Sequence, residues 1–404
     1  MLYREMGKTG EKLSILGYGC MRFPMLNGKI DEARTEQQII TAIEQGVNYF
    51  DTAFLYHDGK SEVILGNILA KGYREKVKLA TKLPVYLVNS RKDMESIFAT
   101  QLKRLKTDYV DFYLMHSIMS LAAWKRQKQL GVVEFLSEAR QAGKIRYVGF
   151  SYHGEQNDFK AIIDDYPWDF CQIQYNFLDE NYQAGKAGLE YAAAQGMGVV
   201  VMEPLRGGNL AGRVPAEAQR IWDEAITKRS PAEWGLRWVW NHPEVTVVLS
   251  GMGEEAHIEE NIRVAGAALP GSLQPDEVTL VDRVKAVYQM LMKVGCTGCQ
   301  YCMPCPAGVD IPLCFSLYNS KYLFDRPRQA RDNYLVFTSG VNSGSPSYAT
   351  LCKNCGKCEK ACPQHLPIRR HLREVAGDLQ MPMMKQIIWV LQKGIKVWSW
   401  FRHS

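Results

Sequence analysis

Eight short apolar runs, separated from one another by segments of helical spacing, constrain the fold of this chain more than any other feature. The runs are rich in Val, Ile, Phe and Tyr and lie at Ser14–Phe23, Val47–Ala53, Val77–Pro84, Tyr109–Ser117, Ile145–His153, Phe170–Phe177, Gly198–Leu205 and Val245–Met252. Between them, Met94, Ile97, Phe98, Leu102 and Leu105 trace one apolar face of a helix, and Ile39, Ile40, Ile43 and Val47 trace another. Ser230-Pro231-Ala232-Glu233 opens a third with a cap, a first-position proline and a capping-box glutamate. Strands alternating with helices in this number predict an α/β fold, a closed (β/α)8 TIM barrel. An open doubly wound sheet is the alternative, and its glycine-rich turn would follow the first strand. The match to G-x-G-x-x-A, Gly251–Ala256, instead follows the eighth run and leads to the linker Ala268–Ser272. That segment is better read as the last strand-to-helix turn of a barrel, where phosphate is often held.

Composition changes after the linker, giving an expected barrel over residues 1–268, a mainly helical cysteine-dense domain over 275–376 and a tail over 381–404. Of 11 cysteines, nine fall between Cys296 and Cys362. The opening residues lack the basic-then-apolar order of a signal peptide, so a cytoplasmic chain is expected. In that compartment disulfides are rare and such a cluster points to metal. Cys296, Cys299, Cys302 and Cys305 read C-x2-C-x2-C-x2-C-P, and Cys352, Cys355, Cys358 and Cys362 read C-x2-C-x2-C-x3-C-P. The second is the bacterial ferredoxin run, whose fourth cysteine ligates the other cluster. Two 4Fe-4S clusters are therefore expected, one on Cys296, Cys299, Cys302 and Cys362, the other on Cys352, Cys355, Cys358 and Cys305. The first run is one residue short of that pattern, and zinc is the alternative metal. Cys314, Cys20 and Cys171 read as packing thiols.

The formal net charge is +6. Each oxidised cluster with its thiolates would carry about −2, leaving about +2 and little argument for a nucleic-acid partner. No apolar stretch is long enough to span a membrane. The tail mixes Trp389, Trp398, Trp400 and Phe401 with Lys385, Lys393, Lys396 and Arg402. That mix suits a docked terminal helix, or peripheral contact with a membrane surface or a partner.

Chemistry in such barrels is carried at the C-terminal ends of the strands. The second run ends at Asp51 with Tyr56 just beyond, the third carries Lys82 and the fourth carries His116. Together an acid, a phenol, an amine and an imidazole on one rim form a proton-transfer site. A phenol is a weak acid unless a cation stabilises its phenolate, so Lys82 supports Tyr56, Asp51 holds Lys82, and His116 binds the substrate oxygen.

Asn48–Ala53 with Tyr56, Lys82 and His116 resembles the aldo-keto reductase tetrad and its flanks. Gly149-Phe150-Ser151, Gln174-Tyr175-Asn176 and Glu260-Asn261 resemble that family's cofactor contacts, and a hairpin around Lys8-Thr9-Gly10 resembles its barrel-bottom plug. The whole chain is similar to a prokaryotic subgroup carrying a C-terminal dicluster ferredoxin-like domain. The resemblance implies hydride transfer between a nicotinamide cofactor and a carbonyl or alcohol, with Tyr56 delivering the proton. It implies Gly19 and Asp51 near the nicotinamide, Ser151 and Gln174 on its carboxamide, Leu205 and Gly207 along the pyrophosphate, and Glu260 and Asn261 at adenine. Tyr152 and Met202 depart from the pattern, as do Gly251 and His257, which stand where cations typically grip a 2′-phosphate. Either NADPH or NADH is expected, and a flavin is also entertained. Two clusters beside hydride chemistry favour an electron relay, through a flavin or an electron-transfer protein partner, with mainly structural clusters as the alternative. The alternative function is an electron-transfer or redox-sensing subunit whose barrel binds nucleotide without turnover.

Overall fold

The structure, a computed structural model, describes residues 1–384 and 386, apart from 155, 213, 297–301, 340–344, 363, 364, 382 and 383. Its strands are β1 (Tyr3–Glu5), β2 (Lys12–Ser14), β3 (Leu16–Gly19), β4 (Met25–Leu26), β5 (Lys29–Ile30), β6 (Tyr49–Asp51), β7 (Lys78–Pro84), β8 (Val110–Ile118), β9 (Ile145–Tyr152), β10 (Phe170–Gln174), β11 (Gly198–Met202) and β12 (Val247–Ser250). The eight strands β3 and β6 to β12 close into a parallel barrel in the order β10-β11-β12-β3-β6-β7-β8-β9. Closure is made where β12 pairs with β3, Val248 opposite Leu16 and Ser250 opposite Tyr18. The (β/α)8 barrel is thus the fold, and the open sheet is excluded. Gly251–Ala256 indeed follows β12 and runs into the first turn of the helix Glu255–Ala265.

Local signals explain the helices around it. Asp31, Ser90 and Ser230 each accept a backbone N–H three residues on, at the starts of Glu32–Glu44, Arg91–Leu105 and Pro231–Trp240. Met94, Phe98 and Leu105 bury the inner face of the second of these. Inside the barrel, Tyr49, Ala80, Phe112, Phe170, Val200 and Val247 fill the lumen. Its lower mouth is closed by the β1–β2 hairpin, which inserts Met6 and Leu13 into the same cluster. Gly198 makes room for this plug, since a Cβ there would fall 2.3 Å from Met6 Sδ. The barrel interior is therefore a packed core, and chemistry is left to the upper rim.

The chain divides into two compact units, Met1–Gly212 with Ala225–Val281, and Arg213–Glu224 with Asp282–Ser404. In the second, helices Ile311–Leu323, Pro327–Thr338 and Ile368–Leu379 share a core that includes Phe315, Tyr334, Leu372 and Val375. Asn319 pins the entry to this core by bonding both backbone groups of Val294, at 3.0 and 2.8 Å. Cys314 is fully buried and packs there, as Cys20 and Cys171 pack in the barrel.

The expected iron–sulfur clusters are corrected here. Among the described residues, no three Cys, His, Asp or Glu side chains come together to hold a metal ion. A cuboidal cluster needs four thiolates converging on one point. Instead Cys355 faces solvent, Cys362 packs into the helical core, and Cys352 Sγ accepts the Asn354 N–H. Neither the set Cys296, Cys302, Cys362 nor the set Cys305, Cys352, Cys355, Cys358 assembles, and zinc fails on the same ground. Cys299 lies outside the described residues, as do Pro363 and the aromatic and basic residues of the tail named above. With the clusters go the lowered net charge and the structural basis for an electron relay. No described helix is long and apolar enough to cross a membrane.

Candidate active site

The four rim residues predicted from strand ends meet. Asp51 closes β6 and Lys82 lies in β7, where parallel pairing sets Asp51 beside Ala80, two residues before Lys82 on the same face. Lys82 Nζ donates to Asp51 Oδ1 at 2.5 Å and to the Thr52 carbonyl at 2.8 Å. Tyr56 Oη lies 3.5 Å from the same ammonium, which also sits 4.9 Å from the centre of the tyrosine ring. His116 completes the group, its ring meeting that of Tyr56 edge-on at 6.1 Å. It reaches that position because the β8–β9 register breaks between Met115 and Ile118. Such a bulge re-aims a side chain that a regular strand would point elsewhere.

Burial dominates the electrostatics. The Lys82 and Asp51 side chains are 1% and 2% exposed. Burial pulls Lys82 down, but Asp51 and Tyr56 together carry it above its ordinary value, so it remains an ammonium. Burial pushes the Asp51 carboxyl up, with Lys82 opposing. Burial likewise raises the Tyr56 phenol, and Lys82 offsets this only in part. Tyr56 therefore holds its proton at neutral pH, against the simple expectation that the cation would leave it more acidic. His116 is pulled down to about 3, first by burial and then by Lys82 and His153. It is a neutral imidazole, suited to hydrogen-bonding an uncharged oxygen.

The residues expected along a cofactor have mixed placements. Gly19 pairs with Asp51 across β3 and β6, and a Cβ there would lie 3.4 Å from the Ser250 carbonyl. Ser151 Oγ accepts the Ser117 N–H at 2.8 Å. Gln174 is engaged at both ends, donating to Asp179 at 3.0 Å and accepting from Gln183 at 3.1 Å. Leu205 and Gly207 lie in the turn after β11, and Gly251 in the turn after β12. Asn261 bonds Ser250 Oγ at 3.0 Å, and Glu260 accepts from Ser230 Oγ at 2.5 Å. Asn261 thus ties its helix to strand β12, and Glu260 ties the same helix to the start of helix Pro231–Trp240.

A cofactor cleft needs open acceptors and close backbone approach, and both are present. Asp51 Oδ2 is buried and has no hydrogen-bond partner among the described residues. Gly207 and Gly208 have φ of +67° and +90°, a conformation that favours glycine. His57, Asp58, Ser117, Gln183, Glu203 and Arg206 also take left-handed backbone. All six lie at or beyond the C-terminal ends of barrel strands, and such strain clusters at functional sites.

The sequence model of the aldo/keto reductase family matches residues 15–285. The chain belongs to the aldo/keto reductase family. The uncharacterized oxidoreductase YrpG of Bacillus subtilis is 31% identical over 241 residues, 53% of this chain and 69% of that one. The NADH-specific methylglyoxal reductase of Escherichia coli is 25% identical, over 68% of this chain and 96% of its own length. The holo form of the aldo-keto reductase AKR11C1 from Bacillus halodurans superposes with a TM-score of 0.59 at 26% identity, covering 70% of this chain and 96% of that one. A second sequence model, the 4Fe-4S dicluster domain, matches residues 295–367. The C-terminal part is thus similar to that domain in sequence, while its described thiols do not converge. Family membership supports an NAD(P)H-dependent oxidoreductase activity of the aldo-keto reductase type. It lends none to the flavin or to an electron-transfer partner.

Several rim groups escaped the sequence reading. His153 acts on His116 electrostatically, and Gln183 engages Gln174 from a loop nine residues away. His57 stacks on Phe23, ring centres 5.4 Å apart, and accepts its N–H at 3.2 Å. The repeated glycines at 207 and 208 were a usable signal for the turn they build. Nothing in the sequence joined His57 to Phe23.

Proposed function

We propose that the barrel moves hydride between the nicotinamide of NADPH or NADH and a small carbonyl or alcohol substrate, with Tyr56 as the proton-transferring group. The observation that carries this reading is the buried Asp51–Lys82 pair with the ammonium 3.5 Å from Tyr56 Oη. When bound, the nicotinamide supplies or accepts the hydride; the chain's residues handle the proton and the geometry. Tyr56 keeps its proton until negative charge grows on the substrate oxygen, then donates it. Lys82 stabilises the resulting phenolate by proximity in a dry site, where a cation counts for more than in water. Asp51 holds Lys82, and the neutral His116 steadies the substrate oxygen. Asp51 Oδ2, Gly19 and Ser151 are assigned to the nicotinamide end, and the turns at Leu205, Gly207 and Gly251 to the phosphates. Gln174, Glu260 and Asn261 are retained there as residues that shape the cleft. The activity is assigned to residues 1–268, with 275–376 as an appended helical module.

The test is turnover and binding measured together on Tyr56→Phe. Carbonyl reduction should fall by about 100-fold or more, in the range of a lost general acid, while NAD(P)H binding stays within about twofold. A wild-type chain that binds NAD(P)H yet reduces no aldehyde or ketone would instead favour a barrel that binds nucleotide without turnover.

A further inference from the structure

Most cations at the upper end of the barrel are spoken for. Lys82 pairs with Asp51, Arg206 with Asp179, Arg104 with Glu62, and Arg34 with both Glu254 and Glu255. Arg22 is different: it is exposed, and its guanidinium makes no ion pair or hydrogen bond among the described residues. The loop that carries it is nonetheless fixed on both sides. Cys20 N–H donates to the Asp51 carbonyl at 2.8 Å, and Ser61 Oγ donates to the Cys20 carbonyl at 2.8 Å. Phe23 N–H donates to His57 Nε2 at 3.2 Å beneath the stacked rings.

From this base the arginine runs across two glycine turns. A Cβ at Gly251 would lie 3.1 Å from Arg22 Cβ and Cδ, and a Cβ at Gly207 would lie 2.8 Å from Nη2. The stem therefore covers the turn after β12 and the guanidinium reaches the turn after β11. These are the loops after the seventh and eighth barrel strands, where barrels of this type commonly hold phosphate. The other usual helper, a helix N-terminus, is compromised here. Helix Glu255–Ala265 opens on Glu254 and Glu255, two carboxylates sharing the single guanidinium of Arg34. An acidic lip of that kind repels an anion. Glu203, the acid whose carboxyl feels Arg22 and Arg206, makes no ion pair with Arg22.

We infer that Arg22 is the phosphate-gripping residue of this cleft, its planar fork closing on the diphosphate of the dinucleotide between the Gly207 and Gly251 turns. The inference rests on the reading of the barrel as NAD(P)H-dependent. Arginine suits the task because its fixed fork binds phosphate oxygens two at a time, which lysine does not. Glycine at 207 and 251 keeps the path of the arm clear.

The experiment is calorimetric titration of the full-length chain, wild type, Arg22→Gln and Arg22→Lys, with ADP, NADH, NADPH and nicotinamide riboside. Loss of charge-assisted hydrogen bonds to a diphosphate should weaken ADP, NADH and NADPH alike by about 10- to 100-fold in Arg22→Gln. Arg22→Lys should fall between, and nicotinamide riboside, which has no phosphate, should bind all three proteins equally. Arg22 is exposed, so melting temperatures should stay together. ADP binding by Arg22→Gln within threefold of wild type overturns the inference while leaving the NAD(P)H reading intact. A loss confined to NADPH places the grip on the 2′-phosphate and overturns it as stated. A wild-type chain that binds neither dinucleotide nor ADP removes the reading and the inference together.

Discussion

Removing either member of the Asp51–Lys82 pair should cost several kcal/mol, and the two losses should respond to pH in opposite directions. Both side chains are almost wholly buried, at 2% and 1% exposure. In Asp51→Asn, Lys82 keeps only the Thr52 carbonyl and Tyr56, so its charge stands uncompensated and the group escapes by losing its proton. Taking an ordinary value of 10.5 down to pH 7 caps the cost at about 4.8 kcal/mol, at 1.36 kcal/mol per pH unit. In Lys82→Met, Asp51 escapes by gaining a proton, and from its ordinary 3.8 the cap at pH 7 is about 4.4 kcal/mol. Both lie near the roughly 3–5 kcal/mol typical of breaking a buried pair, and correspond to a melting drop of roughly 6–20 °C. In Asp51→Asn the unfolded chain holds a Lys proton that the folded one has lost, so stability recovers as pH rises toward 10.5. In Lys82→Met the folded chain holds the extra proton, so stability recovers as pH falls toward 3.8. The double variant, with no buried charge, should be more stable than the sum of the single losses allows. Urea unfolding of all four proteins at pH 5, 7 and 9 reads this directly. Single losses below about 1 kcal/mol, or deficits that do not diverge with pH, would refute an ionised buried pair.

Other expectations concern neighbouring groups. His116 is held at about 3 by burial, whereas in the unfolded chain it binds a proton near 6.5. Stability should therefore fall as pH drops through that window, and unfolding midpoints of His116→Gln should fall less steeply between pH 7 and 4.5; parallel curves would contradict the assignment. Gly66 lies in helix Lys60–Leu69, where a Cβ would meet the Arg104 carbonyl oxygen at 2.3 Å. Gly66→Ala should destabilise by about 1–3 kcal/mol through forced separation of two helices. A gain of about 1 kcal/mol, as helix propensity alone would give, would show that the close approach is not there.

What was legible in the sequence was whatever depends on short-range periodicity. Eight β-branched runs announced eight strands, and the cap at Ser230 announced where one of the helices begins. Strand ends then put Asp51, Lys82 and His116 on one rim without further information. Three things were not legible. The cysteine spacing said what thiols can do, but the direction each side chain takes is set by tertiary packing, which draws Cys362 inward and leaves Cys355 outside. The net acidity of Tyr56 depends on how much water burial removes, and charge inventory alone weighs only Lys82. Arg22 looked like any surface cation until the turns after β11 and β12 came to lie along it.

The plug at the bottom of the barrel bears on how this protein tolerates change. A chain terminus is ordinarily the easiest place to trim, because few neighbours depend on it. Here the first 14 residues form the floor of the barrel. Leu2 bonds the Ala265 carbonyl at 3.1 Å, the Ile15 N–H returns to Leu2 at 3.0 Å, and Arg4 gathers the carbonyls of Trp240, His242 and Val245. Deleting that segment would remove Met6 and Leu13 from the lumen cluster and open the space they fill to water. Loop exchanges at the opposite end disturb none of these contacts. The vessel is closed below by its β1–β2 hairpin, which leaves the mouth as the part that can be reshaped without opening the core.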